Sequence, residues 1–125
     1  MEELKKLYEE VRANEEKFKT LNVGEKILVR LYGEVANKNR FNERITDLLV
    51  VGRDVIWDNE YDSFLYALNR FKINEFVFAS TWSSSIEFLA YLIENGYKVD
   101  KTIIYEMSEF NSNVTKSKGI KLVKE

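Results

Sequence analysis

The sequence contains no cysteine, no histidine and no proline, and these absences restrict its chemistry. Without cysteine there is no disulfide bond, no thiolate nucleophile and no cysteine-ligated zinc site. Without histidine the chain lacks the commonest general base near neutral pH and the commonest metal ligand. Without proline, no cis-proline turn is expected. Any catalysis would have to use carboxylate, lysine, tyrosine or hydroxyl side chains, although carboxylates can still hold a magnesium ion.

The chain also has little net charge and no long apolar run. Charged residues make up 32% of the chain, but their signs nearly cancel to a formal net charge of −2. This balance argues against a nucleic-acid binder driven by bulk charge and against a DNA mimic. No apolar run reaches the roughly 18 residues of a membrane span, and Met1 is followed by charged residues instead of a signal peptide. We therefore expect a cytoplasmic protein that binds neither membrane nor nucleic acid.

The chain has enough apolar residues for a core, because 45% of its 125 residues are hydrophobic and 14% are aromatic. This length fits one domain. We therefore expect a single domain over residues 1–125, with a helical part at 1–52 and a part of alternating strands and helices at 53–125.

Helical periodicity dominates the first part of the chain. Apolar residues recur on one face over residues 2–21, with charged residues on the other. Asn22 followed by Glu25 has the spacing of a capping box, which predicts the start of a second helix. A short third helix is expected to begin near Asn42 and to end at Gly52.

Strand and helix patterns alternate in the second part. The expected parallel strands are Asp54–Trp57, Glu75–Ser80 and Lys101–Glu106. Because crossover connections join parallel strands, the order predicts an α/β fold with three parallel strands in two βαβ units. After a polar loop at 108–118, a last strand at Gly119–Lys124 returns antiparallel. Its lysines indicate a solvated edge strand, with a weak nucleic-acid or acidic-partner patch as the alternative.

Several polar and aromatic residues fall at the carboxyl ends of the expected parallel strands. In open α/β sheets, ligands bind beyond these ends, so residues from different strands are expected to meet at one edge. The candidate binding residues are Trp57, Asp58, Thr81, Trp82, Ser83, Ser85 and Glu106.

The hydroxyl cluster at 80–85 has two interpretations. Ser84 and Glu87 form a second capping-box pattern, so the cluster can be simply the start of a helix. Free N–H groups at a helix start can also bind an anion, but this stretch contains neither glycine nor a basic residue. A serine nucleophile is disfavoured because the stretch lacks a neighbouring base and a nucleophile-elbow pattern.

The two tryptophans and nearby carboxylates also leave alternatives open. Trp57 and Trp82 can either pack over the sheet edge or act as aromatic anchors for a partner. Four carboxylates can gather around a magnesium ion, but this is disfavoured because capping of the next helix explains Asp58 and solvated loop charge explains the rest. These carboxylates belong to Asp58, Glu60, Glu106 and Glu109.

Three short segments resemble a known family. They are Ile56-Trp57-Asp58, the segment FVFASTWSS beginning at Phe76, and Ile104-Tyr105-Glu106-Met107, of which the last matches only in its acidic residue. The resemblance spans about residues 54–106 and is to small uncharacterised proteins carried on bacterial conjugative elements, plasmids and phages. The resemblance implies a setting for the protein but no chemical mechanism. Small proteins in this setting often bind a protein of the host or of the element itself, including host defence nucleases that they inhibit.

We therefore expect a non-enzymatic accessory protein of a mobile genetic element or phage that binds a protein partner, with anti-CRISPR or other anti-defence inhibition as the leading example. No cofactor and no catalytic residue are expected. A small-ligand or nucleotide-binding module at the strand ends is one alternative. A carboxylate-dependent metalloenzyme is the other.

Overall fold

The computed structural model describes residues 2–36, 48–51, 56–79, 85–108 and 114–124, leaving aside the side chains of 34–36, 106–108 and 114–115. Helices come first and are followed by a mixed α/β arrangement. The helices are α1 (Glu2–Ala13), α2 (Glu15–Lys19), α3 (Val23–Ala36), α4 (Tyr61–Arg70) and α5 (Ser85–Glu94). The strands are β1 (Val50–Val51), β2 (Glu75–Phe78), β3 (Tyr97–Ser108) and β4 (Val114–Lys124).

The four strands form one mixed sheet in the order β1-β2-β4-β3. β1 and β2 pair in parallel, whereas β4 is antiparallel to both of its neighbours. Of the three strands expected to be parallel, only β1 and β2 pair with each other in parallel; β3 runs in the same direction but, among the described strands, pairs only with the antiparallel β4. The reason is that β3 and β4, which follow each other in the chain, pair along their whole length, and β4 then occupies the place beside β2.

The interpretation of the last strand as a solvated edge is also wrong, because β4 lies between two strands. The strand begins at Val114, so the expected loop at 108–118 is too long. Lys121 lies within ion-pair distance of Glu75 (3.3 Å) on one side and of Asp100 (3.7 Å) on the other. Asp100 falls at an irregularity in the pairing of β3 with β4. The lysines of β4 are typical of an edge strand, yet one of them, Lys121, forms ion pairs with residues of both neighbouring strands.

The first strand lies earlier than expected. Val50 and Val51 pair with β2, where a helix ending at Gly52 was predicted, and Ile56 and Trp57 lie outside any strand. The backbone N–H of Val77 donates to the carbonyl of Leu49 at 2.8 Å. Short apolar runs do not distinguish a helix from a strand by periodicity, which explains the error. The expected helix start near Asn42 lies outside the described residues, as do positions 54 and 55.

The amino-terminal helices follow local capping signals. Asn14 separates α1 from α2 and accepts a hydrogen bond from the backbone of Glu16 at 3.1 Å, so the helix expected over 2–21 is divided. The predicted capping box before α3 is confirmed. The backbone N–H of Glu25 donates to Asn22 Oδ1 at 2.9 Å, and the N–H of Asn22 donates to Glu25 Oε1 at 3.1 Å.

Apolar side chains cover both faces of the sheet. The larger cluster joins the helices to one face and includes Leu4, Leu28, Phe64, Phe76 and Leu122. A smaller cluster of Val50, Val77 and Tyr105 lies on the opposite face, since successive residues of a strand alternate between faces. The second cluster depends on Gly119: a Cβ atom there would lie 2.6 Å from the Val77 side chain and 3.3 Å from the Tyr105 ring. The missing side chain lets Tyr105 reach across β4.

Helices α3 and α4 cross in direct backbone contact. A Cβ atom at Gly24 would lie 2.1 Å from the carbonyl oxygen of Ser63, so no other residue fits without moving a helix. The N–H of Gly24 donates to Ser63 Oγ at 2.9 Å. Close by in the chain, the buried carboxylate of Glu25 pairs with Arg70 at the end of α4. Close packing and polar contacts together fix this crossing.

We expect the substitution Gly24→Ala to destabilise the protein by about 1–3 kcal/mol, because overpacking forces the two backbones apart. The matched control is Gly33→Ala in the same helix, whose Cβ would meet only the edge of the Tyr8 ring at 3.1 Å. Replacing glycine by alanine within a helix gains roughly 1 kcal/mol in intrinsic propensity, so the control should stay close to the wild type. Urea unfolding measures both, and equal stability of the two variants would contradict the packing argument.

Candidate functional site

The carboxyl ends of β1 and β2 meet at one edge of the sheet, because these two strands pair in parallel. The chain leaves this edge twice to enter a helix, first toward α4 and then toward α5. The amino ends of both helices therefore lie at the edge where ligands and partners bind in open α/β sheets.

Trp57 lies at this edge with its side chain turned outward, since 64% of the residue is exposed. The backbone around it is held in place by Glu60. The N–H of Trp57 donates to Glu60 Oε1 at 2.9 Å, and the Trp57 carbonyl accepts from the N–H of Glu60 at 2.8 Å. Of the two interpretations of Trp57, the structure therefore supports a surface aromatic group on a well-defined turn and not a core residue.

Asp58 has a different place from the one expected. It begins a short 3₁₀ turn (Asp58–Glu60) that precedes α4, and α4 itself has no side-chain cap. The interpretation of Asp58 as a cap of the next helix is therefore wrong, and its carboxylate remains exposed. The residue with the local capping contact is Glu60, which the sequence suggested only as a member of a carboxylate cluster.

Aromatic rings join the first turns of α4 and α5. The Tyr61 ring stacks on Phe88 with centroids 4.9 Å apart and lies 5.2 Å from the ring of Tyr91. Burial raises the pKa of Tyr61, and the carboxylates of Glu87 and Asp58 raise it further. The carboxylates of Asp58 in the turn and Glu87 in α5 are thus both near enough to Tyr61 for their charges to act on it.

Tyr91 ties the two helices together by a hydrogen bond. Its hydroxyl group donates to Asp62 Oδ1 at 2.6 Å. Burial and this contact with Asp62 raise the pKa of Tyr91 to about 12. Sequence reasoning did not single out Tyr91, because its contact with Asp62 joins residues that lie far apart in the chain.

The remaining candidates are only partly described. Ser85 is the half-buried first residue of α5, and the next residue, Ile86, is 71% exposed. Thr81, Trp82, Ser83 and Ser84 lie outside the described residues, so the capping box of Ser84 with Glu87 stays a prediction. Glu106 lies in β3 opposite Lys116, and its side chain is outside the description. We call Trp57, Asp58, Ile86 and Glu87 the strand-end surface.

The described residues contain no group of three histidine, cysteine, aspartate or glutamate residues that could hold a metal ion. Asp58 and Glu60 belong to this part of the chain, whereas the side chain of Glu106 and all of Glu109 do not. Among the described helices, none is both long enough and apolar enough to cross a membrane.

A comparison with family models matches residues 36–123 to a domain of unknown function, DUF7698. The chain belongs to this family. The matched DUF7698 region contains the whole strand-end surface, as well as α4, α5 and nearly all of the sheet, whereas α1, α2 and most of α3 precede it. Neither a curated protein nor a solved structure matches the chain.

The Tyr91–Asp62 contact predicts a pH dependence. The folded-state pKa of Tyr91, about 12, lies above the ordinary value of 10, so this group contributes stability below pH 10 that is lost as the pH rises toward 12. Tyr97 also has a pKa of about 12, through burial alone. In Asp62→Asn we expect Tyr91 to ionise at lower pH while Tyr97 is unchanged.

The ultraviolet absorbance of tyrosinate measures this titration, and Tyr91→Phe identifies the signal that belongs to Tyr91. If Tyr91 and Tyr97 both ionised at the same pH in Asp62→Asn as in the wild type, the interaction with Asp62 would not contribute to the raised pKa of Tyr91.

Proposed function

We propose that this protein is a non-enzymatic accessory protein of a mobile genetic element or phage that binds a protein partner through the strand-end surface. The partner class proposed is a host defence nuclease such as a CRISPR effector. The outward position of the Trp57 side chain supports the proposal. Trp is among the residue types enriched at the centres of protein interfaces.

The surroundings of Trp57 match an interface better than a pocket for chemistry. Ile86 adds an exposed aliphatic side chain, and exposed carboxylates at Asp58 and Glu87 belong to the same surface. Interfaces commonly combine an apolar centre with a polar rim. The acidic rim favours a partner with a basic surface, and proteins that bind nucleic acids have such surfaces. This complementarity is the reason for choosing a nuclease as the partner class.

The resemblance in sequence supports the setting. The segment Ile56-Trp57-Asp58, which resembles proteins of conjugative elements, plasmids and phages, includes the exposed tryptophan. A role in the cytoplasm of a bacterial host follows from this setting and is part of the proposal. The protein's contribution is binding and steric exclusion, with Trp57 as the central contact.

We expect Trp57→Ala to weaken the complex by at least about 2 kcal/mol, or roughly 30-fold in Kd, if the indole is the central contact. Its effect on stability should stay within about 0.5 kcal/mol because the side chain is exposed. The matched control is Tyr66→Ala, which removes an aromatic residue of α4 that is equally exposed at 62%. This control should bind like the wild type.

The measurement is affinity capture from the bacterial host, followed by titration of the purified partner and by a cleavage assay with a co-resident CRISPR effector. Failure to capture a specific partner, together with undisturbed cleavage, would overturn the proposal. If the Trp57 and Tyr66 variants bound the partner equally well, the partner would contact a part of the protein other than the strand-end surface.

A further inference from the structure

Strand β3 lies at the end of the sheet, and only one of its sides is paired with a described strand. It has twelve residues, which is long for an edge strand. Natural edge strands are usually short, charged or interrupted by bulges, because an open backbone edge is a template for pairing. In β3 the pairing irregularity and the charged residues Asp100 and Lys101 lie in the first half. The stretch from Thr102 to Met107 is regular.

Two apolar side chains of this strand are exposed on the face of the sheet that the helices cover. Val99 is 55% exposed and Ile104 is 46% exposed. Their register partners on β4 are Leu122 and Lys118, and Leu122 belongs to the larger core cluster. The apolar surface of the core thus continues to the open edge, where no described strand covers it.

We propose that β3 pairs antiparallel with β3 of a second copy of this chain, about a two-fold axis at Ile104, so that the two sheets join into one of eight strands. An isologous contact of this kind is the usual way in which identical chains associate. The occupant of the edge is therefore a second copy of the same strand.

The pattern of residues favours this register. With Ile104 on the axis, Ile104 lies opposite its own counterpart, Ile103 lies opposite Tyr105, and Thr102 lies opposite Glu106. Apolar positions therefore meet apolar positions on both faces of the sheet, and no two like charges are directly opposed. The paired segment also ends before the irregular position at Asp100.

Neighbouring registers are worse. An axis at Ile103 would place Asp100 opposite Glu106, and like charges directly opposite each other are destabilising. An axis at Tyr105 would place Ile104 opposite Glu106. Of these three registers, only the one with its axis at Ile104 keeps like charges apart and places apolar residues opposite each other.

Helix α5 enlarges the contact beyond the strands. It leads into β3 through Asn95 and Gly96, and its exposed Ile93 adds apolar surface on the same side of the sheet as Val99. A two-fold axis perpendicular to the sheet brings the α5 helices of both copies to that side. Stable interfaces bury more than about 1,000 Å² in total, so a contribution beyond the backbone pairing is needed. The contact uses neither Trp57 nor Ile86, and it stands independently of the proposed function.

Because the chain contains no cysteine, a single introduced cysteine can form a disulfide only with another copy. Directly opposed residues in antiparallel strands have Cα atoms about 4.5–5.5 Å apart, within the span of a disulfide. Under mild oxidation we expect Ile104→Cys to yield a covalent dimer of about twice the 14.8 kDa of the chain. The control Val99→Cys, whose counterpart would lie about 30 Å away along the strands, should stay uncrosslinked.

A second pair of variants tests the contact without a disulfide. Ile104→Lys would place two lysines opposite each other and should weaken dimerisation at least tenfold in sedimentation experiments. Val99→Lys should weaken it less, because it removes apolar surface without placing two like charges opposite each other. Circular dichroism checks that each variant is folded. A wild-type chain that is monomeric at its highest soluble concentration would overturn the proposal, as would a dimer that neither crosslinks at position 104 nor responds to Ile104→Lys.

Discussion

The crossing of α3 and α4 at Gly24 is the constraint on which the arrangement of the helices depends. The two backbones touch, so the position of one helix fixes that of the other. The contact is secured by the hydrogen bond from Gly24 to Ser63 and by the ion pair of the buried Glu25 with Arg70. Through Tyr61 and Tyr91, α4 is in turn packed against α5. A site formed by the first turns of α4 and α5 therefore depends on a contact with an amino-terminal helix.

Sequence reasoning succeeded where the signal is local. The capping box of Asn22 and Glu25 was predicted from spacing alone and is formed. The helix stop at Asn95-Gly96 is a local signal of the same kind, since Gly96 has the positive φ of 105° that such a stop requires. The strand at Glu75–Phe78 was found because its apolar run is bounded by polar residues. Each of these features depends on residues within one or two turns of chain.

The errors in the order of the sheet concern long-range pairing. No local pattern predicts that β4 lies between β2 and β3. The lysines of β4 even favoured an edge strand, because the ion-pair partners of Lys121, Glu75 and Asp100, belong to other strands. At the candidate site, the sequence predicted that Trp57 ends a strand, whereas the residue lies on the turn before α4 with its side chain facing outward. The link between Tyr91 and Asp62 depends on the packing of two helices, which periodicity does not encode.

The small cluster on the second face of the sheet also determines strand register. The ring of Tyr105 lies against Val77 across Gly119, the one position of β4 that has no side chain. If β4 slipped by one residue, every side chain of that strand would change faces. A slip by two would keep the faces but bring Ser117 or Lys121 beneath the ring. The tyrosine and the glycine thus fit together in a single alignment of β2, β4 and β3, so they discriminate the native sheet from its nearest misaligned alternatives.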